Sequence, residues 1–297
     1  MRSDISFTSN GTTCRGWLYR PDNARDKAPA IVMSHGFSAV KEQGLDAFAR
    51  RFCADGFVVV VFDYRFLGSS DGEPRGRIVP QDQHDDLRAA LDWISVQPGV
   101  DPGRIGMWGS SYSGGHSLFM GAIDPRVKVI AAQVPAICTA HSLIALAGKE
   151  GFTGILSMVA DDHARRNAGQ PSTPVPVVAP EGELSVLSTP DSYAWFSNSG
   201  KTEAPTWLNQ TDLESVARLA EYNPAGIIDL IAPKPLLIQA ATNDSLIPIA
   251  LARDAFARAG EPKKYVEFDG GHFDVYPGTR FHEQALENAA NWFKTHL

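Results

Sequence analysis

The run Phe57-Val-Val-Val-Val-Phe62 constrains this chain more than any other stretch, because its residues are apolar at every position and its centre is β-branched. A strand that offers hydrocarbon on both faces must be covered on both faces, which is the situation of a central parallel strand between two helix layers. The neighbouring segments agree. Ala30–Ser34 is a short apolar strand, and Leu45, Phe48, Ala49 and Phe52 then recur at the spacing of a helix with one buried side. Leu87, Ala90, Leu91 and Ile94 mark a second such helix, Ile105–Trp108 a strand, a helix starts near Tyr112, and Val127–Val134 is the next strand. The alternation returns with a strand at Pro235–Ala240, a helix over Ile249–Ala257, a strand at Tyr265–Phe268 and a last helix carrying Leu286, Ala289, Ala290 and Phe293. Such alternation predicts an α/β fold with a mostly parallel sheet flanked by helices. Two β-like runs near Ile5–Thr8 and Thr13–Tyr19 flank Asn10-Gly11, a pair suited to a hairpin turn.

Between residues 139 and 224 the alternation stops. This stretch holds Gly148, Gly151 and Gly154 and four prolines from Pro171 to Pro180, with helical pieces at Leu143–Ala147 and Leu213–Ala220. It reads as a cap inserted between late strands, with residues 1–138 and 225–297 forming the core. Phe152, Met158, Tyr193, Trp195, Phe196 and Trp207 either wall an apolar pocket or form the cap's own small core. Asp161, Asp162, His163, Arg165 and Arg166 read as a solvated helix face.

A net charge of −7 argues against a nucleic-acid partner, which needs clustered Lys and Arg. Cys14, Cys53 and Cys138 are odd in number and far apart, so no disulfide framework or zinc spacing is expected. The sequence MRSDISFTSNGTTCRGW lacks an apolar signal core, and no uninterrupted apolar run reaches the length of a membrane span, so a cytoplasmic protein away from membranes is expected. His84-Asp-Asp86 is taken to open a helix, where acids suit the dipole, rather than to bind metal; no metal and no cofactor are expected. A homodimer is left open.

The stretch with the most chemistry is Arg104-Ile-Gly-Met-Trp-Gly-Ser-Ser-Tyr-Ser-Gly-Gly115, where a strand runs into Gly109 and a helix follows. Gly109-Ser110-Ser111-Tyr112-Ser113 approximates the Gly-x-Ser-x-Gly elbow, with serine in place of the last glycine. Small residues must sit two positions either side of the nucleophile. Ser111 meets this through Gly109 and Ser113, whereas Ser110 would put Trp108 and Tyr112 there. Ser113 meets it through Ser111 and Gly115 but lies further from the strand end, so Ser111 is preferred.

A serine hydroxyl needs a base to take its proton. Downstream, one apolar strand ends at Asp244 and another runs into Gly270-Gly-His272. Both therefore follow the carboxyl ends of strands, the rim on which sites form in parallel sheets. His272 is the candidate base and Asp244 the acid that orients it; Asp269 and Asp274, beside the histidine, are fallback acids more consistent with turn caps. The loop after Ile31–Ser34 and the residue after the nucleophile are where oxyanion donors arise, which nominates the backbone N–H groups of Phe37 and Tyr112. His35 and Gly36 shape that loop, and His35 is read as a structural hydrogen-bonding residue.

Several motifs together resemble the α/β-hydrolase superfamily, and within it the dienelactone-hydrolase-like and X-Pro-peptidase-like group: Ser34-His-Gly-Phe37 with Lys41-Glu42, Phe62-Asp-Tyr-Arg65 through Gly68-Ser-Ser-Asp-Gly72-Glu-Pro74, Gly109-Ser-Ser-Tyr-Ser-Gly114, Asn243-Asp244 and Gly270-Gly-His-Phe-Asp274. The stretch Gly271-His-Phe-Asp-Val-Tyr276 is similar to hydrolases linked to polyketide or xenobiotic metabolism. The resemblance implies an α/β-hydrolase fold and a serine hydrolase of carboxylesterase type, acting on a small-molecule ester, lactone or related acyl substrate through Ser111, Asp244 and His272. A thioesterase, a peptidase, an acyltransferase and an inactive binding protein are the alternatives. Two departures stand out. Dienelactone hydrolases proper carry cysteine where this chain has Ser111, and X-Pro-type esterases supply a tyrosine hydroxyl where this chain has Phe37.

Overall fold

The computed structural model of the protein describes residues 1–22 and 27–297. The chain opens with β1 (Arg2–Ser9) and β2 (Thr12–Tyr19), joined through Asn10 and Gly11, both at positive φ. It continues through β3 (Ala28–Ser34), α1 (Leu45–Ala54), β4 (Val58–Phe62), α2 (Pro80–Ser95), β5 (Val100–Ser110), α3 (Tyr112–Ile123) and β6 (Val127–Gln133). An excursion then carries α4 (Thr139–Asn167), β7 (Pro174–Val175), α5 (Pro190–Thr202), β8 (Thr211–Asp212), α6 (Leu213–Glu221) and a 3-10 helix (Pro224–Ile231). The core resumes with β9 (Leu236–Ala241), α7 (Ile249–Arg258), β10 (Lys263–Phe268) and α8 (His282–His296).

Among the described residues eight strands form one sheet in the order β1-β2-β4-β3-β5-β6-β9-β10. β1 pairs antiparallel with β2 and β2 antiparallel with β4; every pairing from β4 to β10 is parallel. The expected mostly parallel α/β fold is the one found. In β4, Val58, Val60 and Phe62 enter the core on one face, beneath Leu87, Ala90 and Leu91 of α2 and Leu118 of α3. Val59 and Val61 enter the core on the other, beneath Phe48 and Phe52 of α1 and Phe293 of α8. The period of two thus feeds two helix layers at once, which is why the strand carries no polar residue.

The excursion departs from its helical expectation in one way. Leu143–Ala147 is the start of a helix that reaches Asn167, broken at Gly148, whose φ of 71° and ψ of 171° belong to no helix. α4 is also the one described helix long and apolar enough to cross a membrane by length and composition, with a mean hydropathy of 1.4 in its most apolar stretch. The break leaves its longer piece with Lys149 and Glu150 at one end and Asp161, Asp162, Arg165 and Arg166 at the other.

Two local readings are corrected. Asp162 is not on a solvated face. Its side chain is buried and accepts hydrogen bonds from the Thr173 N–H at 2.7 Å and from Ser172 Oγ and Arg166 Nε at 2.9 Å, so it anchors the return from α4. His84-Asp-Asp86 does not open a helix either. α2 starts at Pro80, which supplies a fixed φ for the first turn, and the acid in that turn is Asp82. His84 and Asp86 lie further along the helix and face inward.

Candidate active site

Four loops meet at the carboxyl rim of the parallel strands: the turn from β5 into α3, the loop after β3, the loop after β9 and the loop after β10. Ser111 sits between β5 and α3 with φ 58° and ψ −119°, a strained backbone for a residue with a side chain. The turn tolerates no bulk. A Cβ added at Gly109 would lie 2.1 Å from the Ser113 carbonyl oxygen, and one at Gly36 would lie 3.1 Å from the Ser111 Cβ.

Ser111 Oγ lies 3.0 Å from His272 Nε2, and His272 Nδ1 lies 2.8 Å from Asp244 Oδ2. A carboxylate can only accept, so the imidazole carries its proton on Nδ1 and turns the Nε2 lone pair toward the Ser111 hydroxyl. The side chains of His272 and Asp244 are 1% and 2% exposed. Asp244 is held from its other oxygen by the N–H groups of Leu246 and Ile247, each at 2.8 Å. The structure therefore brings together the three side chains nominated from the sequence. Asp269 instead accepts from Asn243 Nδ2 of the loop after β9 at 3.2 Å, and Asp274 accepts the Gly271 N–H of its own loop at 2.8 Å, so neither fallback acid is bonded to the imidazole.

Phe37 and Tyr112 lie on the neighbouring loops after β3 and β5, strands paired through Ser34 and Gly109. Their rings meet edge to face with centroids 5.5 Å apart. Among the described residues neither N–H donates to a carbonyl outside a helix or strand. His35 is buried and lies beside Gly36, Nδ1 donating to the Gly36 carbonyl at 3.1 Å; burial holds its pKa below the ordinary histidine value.

The other serines of the elbow are occupied elsewhere. Ser110 Oγ donates to the Tyr276 hydroxyl at 2.8 Å. Ser113 donates to the His35 carbonyl and lies 2.8 Å from the Tyr64 hydroxyl. The serine in place of the elbow's last glycine thus ties α3 to the loop after β3, a role that spacing alone does not reveal.

Asp63-Tyr-Arg65 proves to be scaffolding for the same loops. Asp63 accepts from the Lys41 N–H and from Lys41 Nζ, both at 2.7 Å, and pins the far end of the loop after β3. Tyr64 reaches Ser113, and Arg65 Nε donates to the buried Asp86 at 2.8 Å. Burial pushes the Asp86 pKa up, while Arg65 opposes that rise. The pairing of Asp86 with Arg65 leaves no local signal, because the guanidinium that it accepts from is twenty-one residues away in sequence. A second missed cluster lies under α3. The Tyr222 hydroxyl lies 2.6 Å from His116 Nδ1 and 3.0 Å from His84 Nε2, and His116 Nε2 donates to Gln83 Oε1 at 2.8 Å.

Two narrow cavities meet at Ser111, with volumes of about 30 Å³ and about 50 Å³. Both are lined by Phe37, Ser111, Leu187 and Leu246. The first also takes in His272, Phe273 and Tyr276 from the core and Trp195 and Phe196 from α5. Of the aromatic residues nominated for a pocket wall, Trp195 and Phe196 serve as one. Trp207 instead stacks on Phe196 and donates from Nε1 to the Ser38 carbonyl at 3.0 Å, and Met158 packs inside the excursion. Phe152 lies partly buried against the main core, and Tyr193 is exposed. Rooms of this size hold a few waters.

Residues 11–170 match the model of the X-Pro dipeptidyl-peptidase (S15) family. The chain is 30% identical to the quorum-quenching protein AidA of Acinetobacter baumannii (strain MDR-ZJ06), an alignment covering 98% of this chain and 94% of that one. It is 27% identical to a thiohydrolase of Eupenicillium brefeldianum over 94% of this chain and 90% of the relative. Its fold matches the crystal structure of the α/β hydrolase GrgF from Penicillium sp. sh18 with a TM-score of 0.85 and 27% identity, covering 100% of this chain and 99% of that one.

Proposed function

The chain belongs to the X-Pro dipeptidyl-peptidase (S15) family and is an α/β-hydrolase enzyme of the serine type, and from that premise we propose that it cleaves a carboxylic ester or lactone through an acyl-enzyme on Ser111. The observation that carries this reading is the placement of one buried imidazole between the Ser111 hydroxyl and the Asp244 carboxylate. In the first step Ser111 Oγ attacks the substrate carbonyl carbon while its proton passes to His272 Nε2. Asp244 holds the ring in the required tautomer and stabilises the imidazolium. Negative charge gathers on the carbonyl oxygen, toward the N–H groups of Phe37 and Tyr112, where each donor contributes roughly 10²–10³ in rate. The bond to the leaving oxygen then breaks, and that oxygen takes the proton from His272. A water repeats the sequence on the acyl-enzyme and releases the acid.

A thioester fits the same steps with sulfur as the leaving atom, and the likeness to a protein named a thiohydrolase favours it as the second reading. We do not extend the family's name to peptide cleavage, because Phe37 brings no hydroxyl to the carbonyl. Residues 139–224 are read as the cap that covers the acyl group.

A fluorophosphonate probe tests the assignment. It should label the protein, and labelling should vanish in Ser111→Ala. An unlabelled wild type would mean a binding protein, and labelling that survives in Ser111→Ala would move the nucleophile to Ser113.

A further inference from the structure

We propose that the cavity on the α4 side of Ser111 holds the acyl group, that this group is an extended aliphatic chain, and that Leu143 sets its length. The inference rests on the roles given above to Ser111 and His272. His272 must hand its proton to the leaving group, so the leaving group occupies the cavity that His272 lines. The acyl group therefore takes the other cavity, which is lined by Ser111 and Tyr112 but not by His272.

That second cavity is almost all hydrocarbon: Ala136, Leu143, Leu146, Leu219, Leu246 and Ile247. Besides Ser111 and Tyr112, two further hydroxyl side chains line it, Thr139 and Ser142, and they differ. Thr139 donates to the Tyr222 carbonyl at 2.8 Å and so is spent, whereas the Ser142 hydroxyl is buried with no partner among the described residues. No charged side chain lines it, so a carboxylated or cationic acyl group would lose its hydration without return.

Leu143 is 5% exposed and lines this cavity. The same residue lines a further apolar cavity enclosed by Ile155, Met158, Val175, Leu213 and Val216, inside the cap. One side chain thus separates the room beside Ser111 from a room that the shorter acyl chains never reach.

The test is kcat/KM for nitrophenyl esters graded from acetyl to palmitoyl, with the alcohol held constant. Leu143→Ala should move the optimum to longer chains, with a gain of roughly tenfold or more on the longest, as newly buried methylenes add to transition-state binding. Leu143→Phe should move it to shorter chains. Adding Met158→Trp to Leu143→Ala, to fill the further cavity, should return the optimum toward that of the wild type. Trp195→Ala, in the cavity lined by His272, should leave the acyl optimum in place. Should Leu143→Ala fail to fold, as thermal melting would show, Leu143→Phe decides alone. An optimum that stays put in both Leu143 variants overturns the proposal, as does one moved by Trp195→Ala instead. Failure of the underlying assignment has a different signature: Ser111→Ala would still hydrolyse every ester in the series.

Discussion

Gly109 and Ser113 flank Ser111 and show how differently two small residues can be required. Gly109 is there for want of space, since any Cβ would strike the Ser113 carbonyl. Ser113 is there for its hydroxyl, which holds the His35 carbonyl and meets Tyr64. Replacing it with alanine keeps the side chain small yet leaves a buried carbonyl and a buried phenol unpaired, at a cost of about 1–3 kcal/mol. Ser113→Ala should therefore lower the urea midpoint and reduce kcat by loosening the loop that carries Phe37. Unchanged stability and rate would show that the tie is idle. Ser111, Asp244 and His272 were legible because each follows a strand end in the required order. The purpose of Ser113 was not, because a hydroxyl's partner across the fold leaves no trace in local spacing.

At the scale of elements, strands and helices with a strong period were readable and their contacts were not. Phe57–Phe62 and the stripe of Leu45, Phe48, Ala49 and Phe52 announced their burial directly. α5 gave little warning, because Pro190–Thr202 buries only Ser192, Phe196 and Ser199 and so carries no clean apolar stripe. Asp162 and Asp86 were misread for one reason: a buried acid and a solvated acid look alike until their partners are known. Gly148 is the element-scale feature with the sharpest consequence. Its conformation is open to glycine, and a Cβ there would touch nothing within 4 Å, so any penalty comes from the backbone alone. Gly148→Ala should cost about 1–3 kcal/mol, read as a fall in the denaturant midpoint at unchanged slope. No loss would mean that α4 straightens without penalty.

For the molecule as a whole, the buried cluster beneath α3 sets a response to acid. Burial, with Arg88 adding to it, lowers the His84 pKa to about 3, and burial holds His116 well below the ordinary value. Well above about pH 6.5 both histidines are neutral folded and unfolded, and stability is indifferent to pH on their account. As pH falls from 6.5 toward 3, the unfolded chain takes up protons that the folded one refuses. Each such residue then removes up to about 1.4 kcal/mol of stability per pH unit. Urea titrations across this window should give a falling midpoint, and His84→Gln should flatten the fall. Equal slopes in both proteins would exclude His84 as its source.

The excursion leaves and rejoins the core at one place. The Thr139 N–H donates to the Tyr222 carbonyl at 3.0 Å, and the Ala225 N–H donates to the Ile137 carbonyl at 3.3 Å. Entry and exit are thus stitched side by side, and the strands that carry Ser111, Asp244 and His272 lie outside the stitch. A segment bounded by a single seam behaves as a cassette. Exchanged at that seam between kindred enzymes, it would carry the choice of acyl chain with it while the bond-breaking machinery stayed behind.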